Sequence, residues 1–193
     1  MALTAAVAAC SSAKGGQAYV PPSIATAPEQ TTTTNPYAVP PTIDVAYVNR
    51  VLAGLDAAFG DILRQVVKDR AINRAVDDQL TALYTNKMQA LTVITLEAEA
   101  GNGFRSFKDP PGDQRTTVAR LITAERGCIF AQVNRDLSPL SQSPDSEAAS
   151  QWVGLVPADP ARDPSSVNPT PWIYSYEGFG PNHTPPVAPC AES

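Results

Sequence analysis

Proline placement divides this chain before any other signal is read. None occurs between Thr42 and Asp109, while the flanking segments hold all 19. Proline removes a backbone donor and clashes with the preceding helical turn, so a proline-free window of this length is itself a helical signal. Inside it, Val45, Val48, Leu52, Leu55, Phe59, Ile62 and Val66 recur at alternating spacings of three and four. That is one continuous apolar face of a helix, with Thr42 or Asp44 available as its cap. Gly54 and Gly60 each weaken such a helix by up to about 1 kcal/mol relative to alanine, and either can permit close packing or a bend. A second helix is predicted from about Ala75 to Ala98, capped by Asn73, with Val76, Leu80, Leu83, Tyr84, Met88, Leu91 and Ile94 as its apolar face. Gly101-Asn102-Gly103 ends it.

The pattern then changes. Arg115 to Ala124 and Cys128 to Val133 are rich in β-formers, and Glu125-Arg126-Gly127 between them can close a hairpin with Gly127 in the left-handed region. Gln151 to Val156 reads as a third strand. Trp172 to Tyr176 reads as a fourth, with Trp172, Tyr174 and Tyr176 on one face by period two. Two N-terminal helices followed by about four strands make an α+β plan, in which the helices cover one face of an antiparallel sheet.

The order of elements resembles the nuclear transport factor 2-like fold, a cone of helices packed into a curved antiparallel sheet, and in particular actinobacterial envelope lipoproteins with such domains. The resembling pieces are Val48-Asn49-Arg50-Val51-Leu52, Arg115-Thr-Thr-Val118, Cys128-Ile-Phe130 with Arg135-Asp136, and Asn168-Pro-Thr-Pro-Trp172. They span a domain of residues 42–178, followed by a Pro-rich tail over 179–193. The fold hosts enzymes, binders and assembly modules alike, so it does not by itself fix a function.

Charge narrows the partners. With 14 Lys and Arg against 19 Asp and Glu, the net charge is -5. An acidic chain lacks the footprint of a nucleic-acid binder, and charge alone does not draw it to anionic lipid. No apolar run approaches the ~20 residues of a spanning helix. Membrane attachment therefore needs another device, and the first ten residues offer one. Val7-Ala8-Ala9-Cys10 resembles the lipobox of bacterial lipoproteins, an aliphatic residue and two small ones before the cysteine that takes the lipid. No basic n-region precedes it, so residues 1–10 are read as part of a signal. Residues 11–41 hold six prolines and the run Thr31 to Thr34, a composition that cannot bury enough surface to fold and serves as a tether. The expected address is the extracytoplasmic face of the cell membrane, lipid-anchored through Cys10.

Chemistry is harder to find. The single histidine, His183, lies in the Pro-rich tail. No nucleophile elbow, Cys-x-x-Cys or phosphate-cradling loop is present, so no catalytic residue, metal site or cofactor is assigned. Tyr47, Tyr84, Trp152, Trp172 and Tyr174 are candidate pocket residues, and each has a plainer reading as core. Asp136 joins them as a candidate acid if it points inward. Its plainer role is to cap the turn at Leu137-Ser138-Pro139. Lipidation of Cys10 leaves Cys128 and Cys190, and an exported protein is expected to join such a pair. Two functions stand. The first is a non-enzymatic binding or interaction module with an envelope protein partner or a small apolar ligand, homodimeric where a sheet face is exposed. The second is a small pocket enzyme of the ketosteroid-isomerase or dehydratase type.

The lipobox reading predicts that the chain, expressed behind a complete signal, sediments with membranes. Cys10→Ala is expected to move it to the soluble fraction. Equal membrane retention of the variant would contradict lipid anchoring.

Overall fold

Helix α1 (Val45–Asp69) starts where Asp44 accepts a hydrogen bond from the Tyr47 N–H at 2.7 Å, satisfying one of the free donors of the first turn. The computed structural model that contains it describes residues 35–143, 149–163, 166–179 and 189–190. Val7, Ala8, Ala9, Cys10, most of the tether and His183 lie outside these residues. Along α1, Val48, Leu52, Leu55, Ile62 and Val66 are buried, as their spacing predicts. Phe59 is half-buried and meets Tyr84 edge-on, and Val45 is exposed. Gly54 permits a close approach: a Cβ there would stand 2.9 Å from Thr170 Cγ2 and 3.0 Å from Tyr37 Oη.

The second predicted helix is two. Helix α2 (Arg74–Thr81), capped by Asn73, is separated from α3 (Asn86–Gly101) by a short extended connection. The sheet claims that connection. Tyr174 N–H donates to Leu83 C=O and Thr85 N–H donates to Tyr174 C=O, both at 2.8 Å. A continuous helix would need those same groups for its own ladder, so the expectation of two helices gives way to three.

Four strands form one antiparallel sheet in chain order: β1 (Arg115–Glu125), β2 (Cys128–Asp136), β3 (Ala149–Pro157) and β4 (Trp172–Phe179). The α+β class with helices against an antiparallel sheet is thus observed. Val118, Ile129, Ala131, Val133, Val153, Leu155, Trp172 and Tyr174 join the helices in one core. The β1–β2 turn closes at Arg126-Gly127, but among the described glycines only Gly103 has a positive φ, so Gly127 does not take the left-handed conformation. Tyr176 also departs from expectation. The register slips between Gly154 and Leu155, which pair with Tyr176 and Tyr174. Ser175 is the extra residue, and a bulge of one residue reverses the alternation. Tyr176 therefore lies on the side of Phe130 and Trp152, opposite Trp172 and Tyr174.

Each outer edge of the sheet is partly met by other elements. On β1, the Thr116 N–H donates to Asp56 and the Val118 N–H to Asn49, at 2.7 and 2.8 Å. On β4 the connection at Leu83–Thr85 does the same work. Unpaired edges are templates for unwanted strand pairing, and here α1 side chains cover the start of β1 while the α2–α3 connection bridges to β4. The motif around Asn168 is a loop clasp: its amide nitrogen donates to Ala82 C=O and Trp172 C=O, and its amide oxygen accepts from Thr170. None of the described helices is long and apolar enough to cross a membrane.

Cys128 and Cys190 form a disulfide-capable pair with Cα atoms 5.7 Å apart, inside the ~7 Å limit for bridging. Next to it, Ser175 Oγ donates to Pro189 C=O at 2.9 Å, seating residues 189–190 on the sheet. Joining the pair closes a loop of 62 residues, worth about 4 kcal/mol in the chain-entropy model. Cys190→Ser, compared with the oxidised protein in urea unfolding, is expected to lose stability of this order. Unchanged stability, with two free thiols titrating in denatured, unreduced protein that lacks Cys10, would refute the bridge.

Candidate functional site

The buried polar groups of this domain meet between the helices and the sheet. Asp56 enters from α1, where it shares a face with Asn49 two turns earlier. It is 2% exposed. Its Oδ1 accepts from Gln114 Nε2 at 2.7 Å and from Thr116 Oγ at 3.0 Å, and its Oδ2 from the Thr116 N–H. Thr116 Oγ in turn accepts from Arg135 Nε at 3.1 Å. Arg135 lies on β2 in the inward row Ile129, Ala131, Val133, and its Nη1 stands 2.6 Å from Glu177 Oε1 on β4. The guanidinium also sits 5.7 Å from the centre of the Tyr174 ring, in the range of a cation–π contact. Tyr84 stacks on Tyr174 at 5.4 Å between centroids. One chain of contacts thereby joins α1, β1, β2, β4 and the connection between α2 and α3.

Burial sets the electrostatics. Desolvation raises the Asp56 pKa, against the lowering pull of Arg135 and of the hydrogen bonds from Gln114 and Thr116. Desolvation opposes the Arg135 charge too, but attraction to Glu177 leads the terms that outweigh it, and its pKa is raised. Tyr84 and Tyr174 are held well above the ordinary phenol value, first by burial and also by the neighbouring acids. Both phenols stay protonated.

The network is not closed. Arg135 Nη2, Tyr174 Oη and both amide atoms of Gln151 are buried without a hydrogen-bond partner. Gln151 is 1% exposed and pairs across the sheet with Val133 and Phe179, which puts it on the same helix-facing side as Arg135 and Glu177. Leaving such a group unpaired costs about 1–3 kcal/mol. Buried polar atoms of this kind are usually met by enclosed water or a small polar guest.

The candidate pocket residues separate into three places. Tyr84 and Tyr174 belong to this site. Tyr47 and Trp172 lie beside it as a satisfied pair: Trp172 Nε1 donates to Tyr47 Oη at 2.8 Å, and Tyr47 Oη donates to Tyr37 C=O. Trp152 is on the opposite face of the sheet, stacked on Phe130, because its register partner Gln132 points away from the core. Asp136 is outside as well. Its carboxylate accepts from the Ser138 N–H at 2.9 Å, and hydrogen bonding to Ser138 lowers its pKa. It caps the turn, and its neighbour Arg135 is the one that points inward. Asp56, Thr116, Gln151 and Glu177 are not among the candidates that the sequence offers. The seven-residue spacing of Asn49 and Asp56, and the extension of the row Ile129, Ala131, Val133 to Arg135, are the signals that lead to this site.

No group of three or more metal-ligating side chains occurs among the described residues. The chain matches no protein-family model, no curated protein and no solved structure.

The raised pKa of Asp56 fixes a sign. The folded state holds this proton more tightly than the unfolded chain, so the associated stability is complete in acid below the ordinary carboxylate value. It is lost as pH climbs through the raised folded value. The difference in unfolding free energy between the native chain and Asp56→Asn is therefore expected to be most favourable to the native chain in acid and to shrink toward neutrality. A difference that grows with pH would mean that Arg135 and the hydrogen bonds outweigh burial.

Proposed function

We propose that this chain is a cell-envelope lipoprotein, held by Cys10 on the outer face of the cytoplasmic membrane, whose domain is a non-enzymatic binding module built as a nuclear transport factor 2-like cone. The observation that carries the binding reading is the set of buried, unpartnered polar atoms on Arg135, Gln151 and Tyr174, three residues of the sheet's helix-facing side. They can orient a small polar guest by hydrogen bonds. The order of lipobox, tether and domain supports the address, and the net charge of -5 argues against nucleic acid as partner.

Asp56 is the feature that favours the enzymatic alternative of the ketosteroid-isomerase or dehydratase type, since burial gives it the raised pKa of a general acid or base. Its geometry argues the other way. Both carboxylate oxygens are taken by Gln114 and Thr116, so a proton transfer would have to break the contacts that hold α1 on β1.

Native mass spectrometry of the protein purified from its own host tests the binding reading. The expected result is a small retained mass that is absent from a Gln151→Leu, Tyr174→Phe double variant. A bare-protein mass for both would overturn it. Deuterium exchange at a ketone α-carbon, abolished in Asp56→Asn, would establish the enzyme instead.

A further inference from the structure

A second site lies at the far end of the helices and does not depend on the buried cluster. Where α1 and α3 end, the chain leaves a cleft of about 900 Å³, within the upper range of small-molecule pockets. Its walls are set by backbone conformation. Arg70, the residue that ends α1, has φ 51°, and the turn after α3 uses Gly103 at φ 68° and Phe104 at φ 57°. These left-handed residues turn Phe104 into the core and leave Arg105 exposed beside it. The turn is fastened from the other side. Lys108 N–H donates to Leu140 C=O and Gln142 N–H to Ser106 C=O, at 2.7 and 2.8 Å. The Arg70 guanidinium reaches over the turn, with Nη1 4.0 Å from the position of a Cβ on Gly103.

The cleft carries both signs of charge. Arg70 and Arg105 line it, and among the described residues neither has a hydrogen bond or an ion pair. Glu99 and Asp109 line it too. Glu99 accepts from Ser106 Oγ, and Asp109 has no partner among the described residues. The C-terminal ends of α1 and α3 add partial negative charge that favours a cation. A guanidinium fork suits a carboxylate. Half-buried Phe107 also lines the cleft and offers an apolar surface, its ring 6.5 Å from that of Phe104. A purely anionic ligand would meet the two acids and the helix ends, and a purely cationic one would meet two arginines.

We propose that this cleft binds a small zwitterion, an amino acid or short peptide with free ends, its carboxylate on Arg70 and Arg105, its ammonium on Glu99 and Asp109, and its side chain on Phe107. Amide-resolved NMR titration of the full mature chain with L-phenylalanine and with glycyl-phenylalanine, at millimolar concentration, tests this. Phenethylamine, which lacks the carboxylate, 3-phenylpropionate, which lacks the ammonium, and inorganic phosphate complete the set. The expected result is saturable shifts at residues 99–109 with at least one zwitterion, weakened about tenfold or more by removing either charged group or by Arg105→Ala. Arg105 is exposed, so this variant is expected to fold, and its amide spectrum checks that it has. Equal response to the single-charge analogues, response to phosphate alone, or no response to either zwitterion would overturn the proposal.

Discussion

The hydrogen bonds that Asp56 accepts are the constraint on which the rest of the arrangement depends. A carboxyl group in the core of a small domain is costly, and it is tolerated only where hydrogen-bond partners meet it. Here the donors belong to the edge of the sheet. By taking the Thr116 N–H, Asp56 fastens α1 to the start of β1. Through the Thr116 hydroxyl it reaches Arg135, which reaches Glu177 on the fourth strand. Loss of one partner from such a buried pair typically costs about 3–5 kcal/mol, because the other charge stays behind. The network therefore specifies where the helix lies on the sheet as much as it adds to stability.

The same residues create the site. Arg135 is held by Thr116 and Glu177 through Nε and Nη1, which leaves Nη2 free. The bulge at Ser175 keeps Tyr174 facing inward while Tyr176 turns out. The Leu83–Thr85 connection brings Tyr84 onto the Tyr174 ring by bonding to the Tyr174 backbone. What the fold uses for alignment, a guest can use for recognition. In the bulk of this interior the chain satisfies its own groups, as the Tyr47–Trp172 pair does. Among the described residues the exceptions are Arg135, Gln151, Tyr174 and Glu177 in or beside this network, and Gln79 and Thr85 near the α2–α3 connection.

Much of this architecture is legible in the residues. The three-four spacing from Val45 to Val66 places α1 and its buried face, and Asp44 and Asn73 read correctly as caps. The four strands follow from β-branched and aromatic runs between turns. The break between α2 and α3 is not legible, since Ala82 to Thr85 continue a helical pattern and only the edge of β4 removes them from it. The reversal at Tyr176 is hidden for a similar reason: a bulge is a property of the pairing, and period two in a single strand cannot reveal it. Of the neighbours Arg135 and Asp136, the acid is the more familiar catalytic candidate, yet the apolar row ending in Val133 turns the arginine inward. Asp56 was hidden by its place among Leu52, Leu55 and Phe59, where an acid interrupts a face read for its hydrophobicity.

On the proposed binding reading, the unpartnered atoms of Arg135, Gln151 and Tyr174 belong to an occupied polar site. The most direct measurement is electron density at atomic resolution for protein crystallised from its own host. The expected result is ordered density for a small molecule within hydrogen-bond distance of Tyr174 Oη, the Gln151 amide or Arg135 Nη2. An interior free of such density, with these three side chains bonded to one another, would contradict that reading.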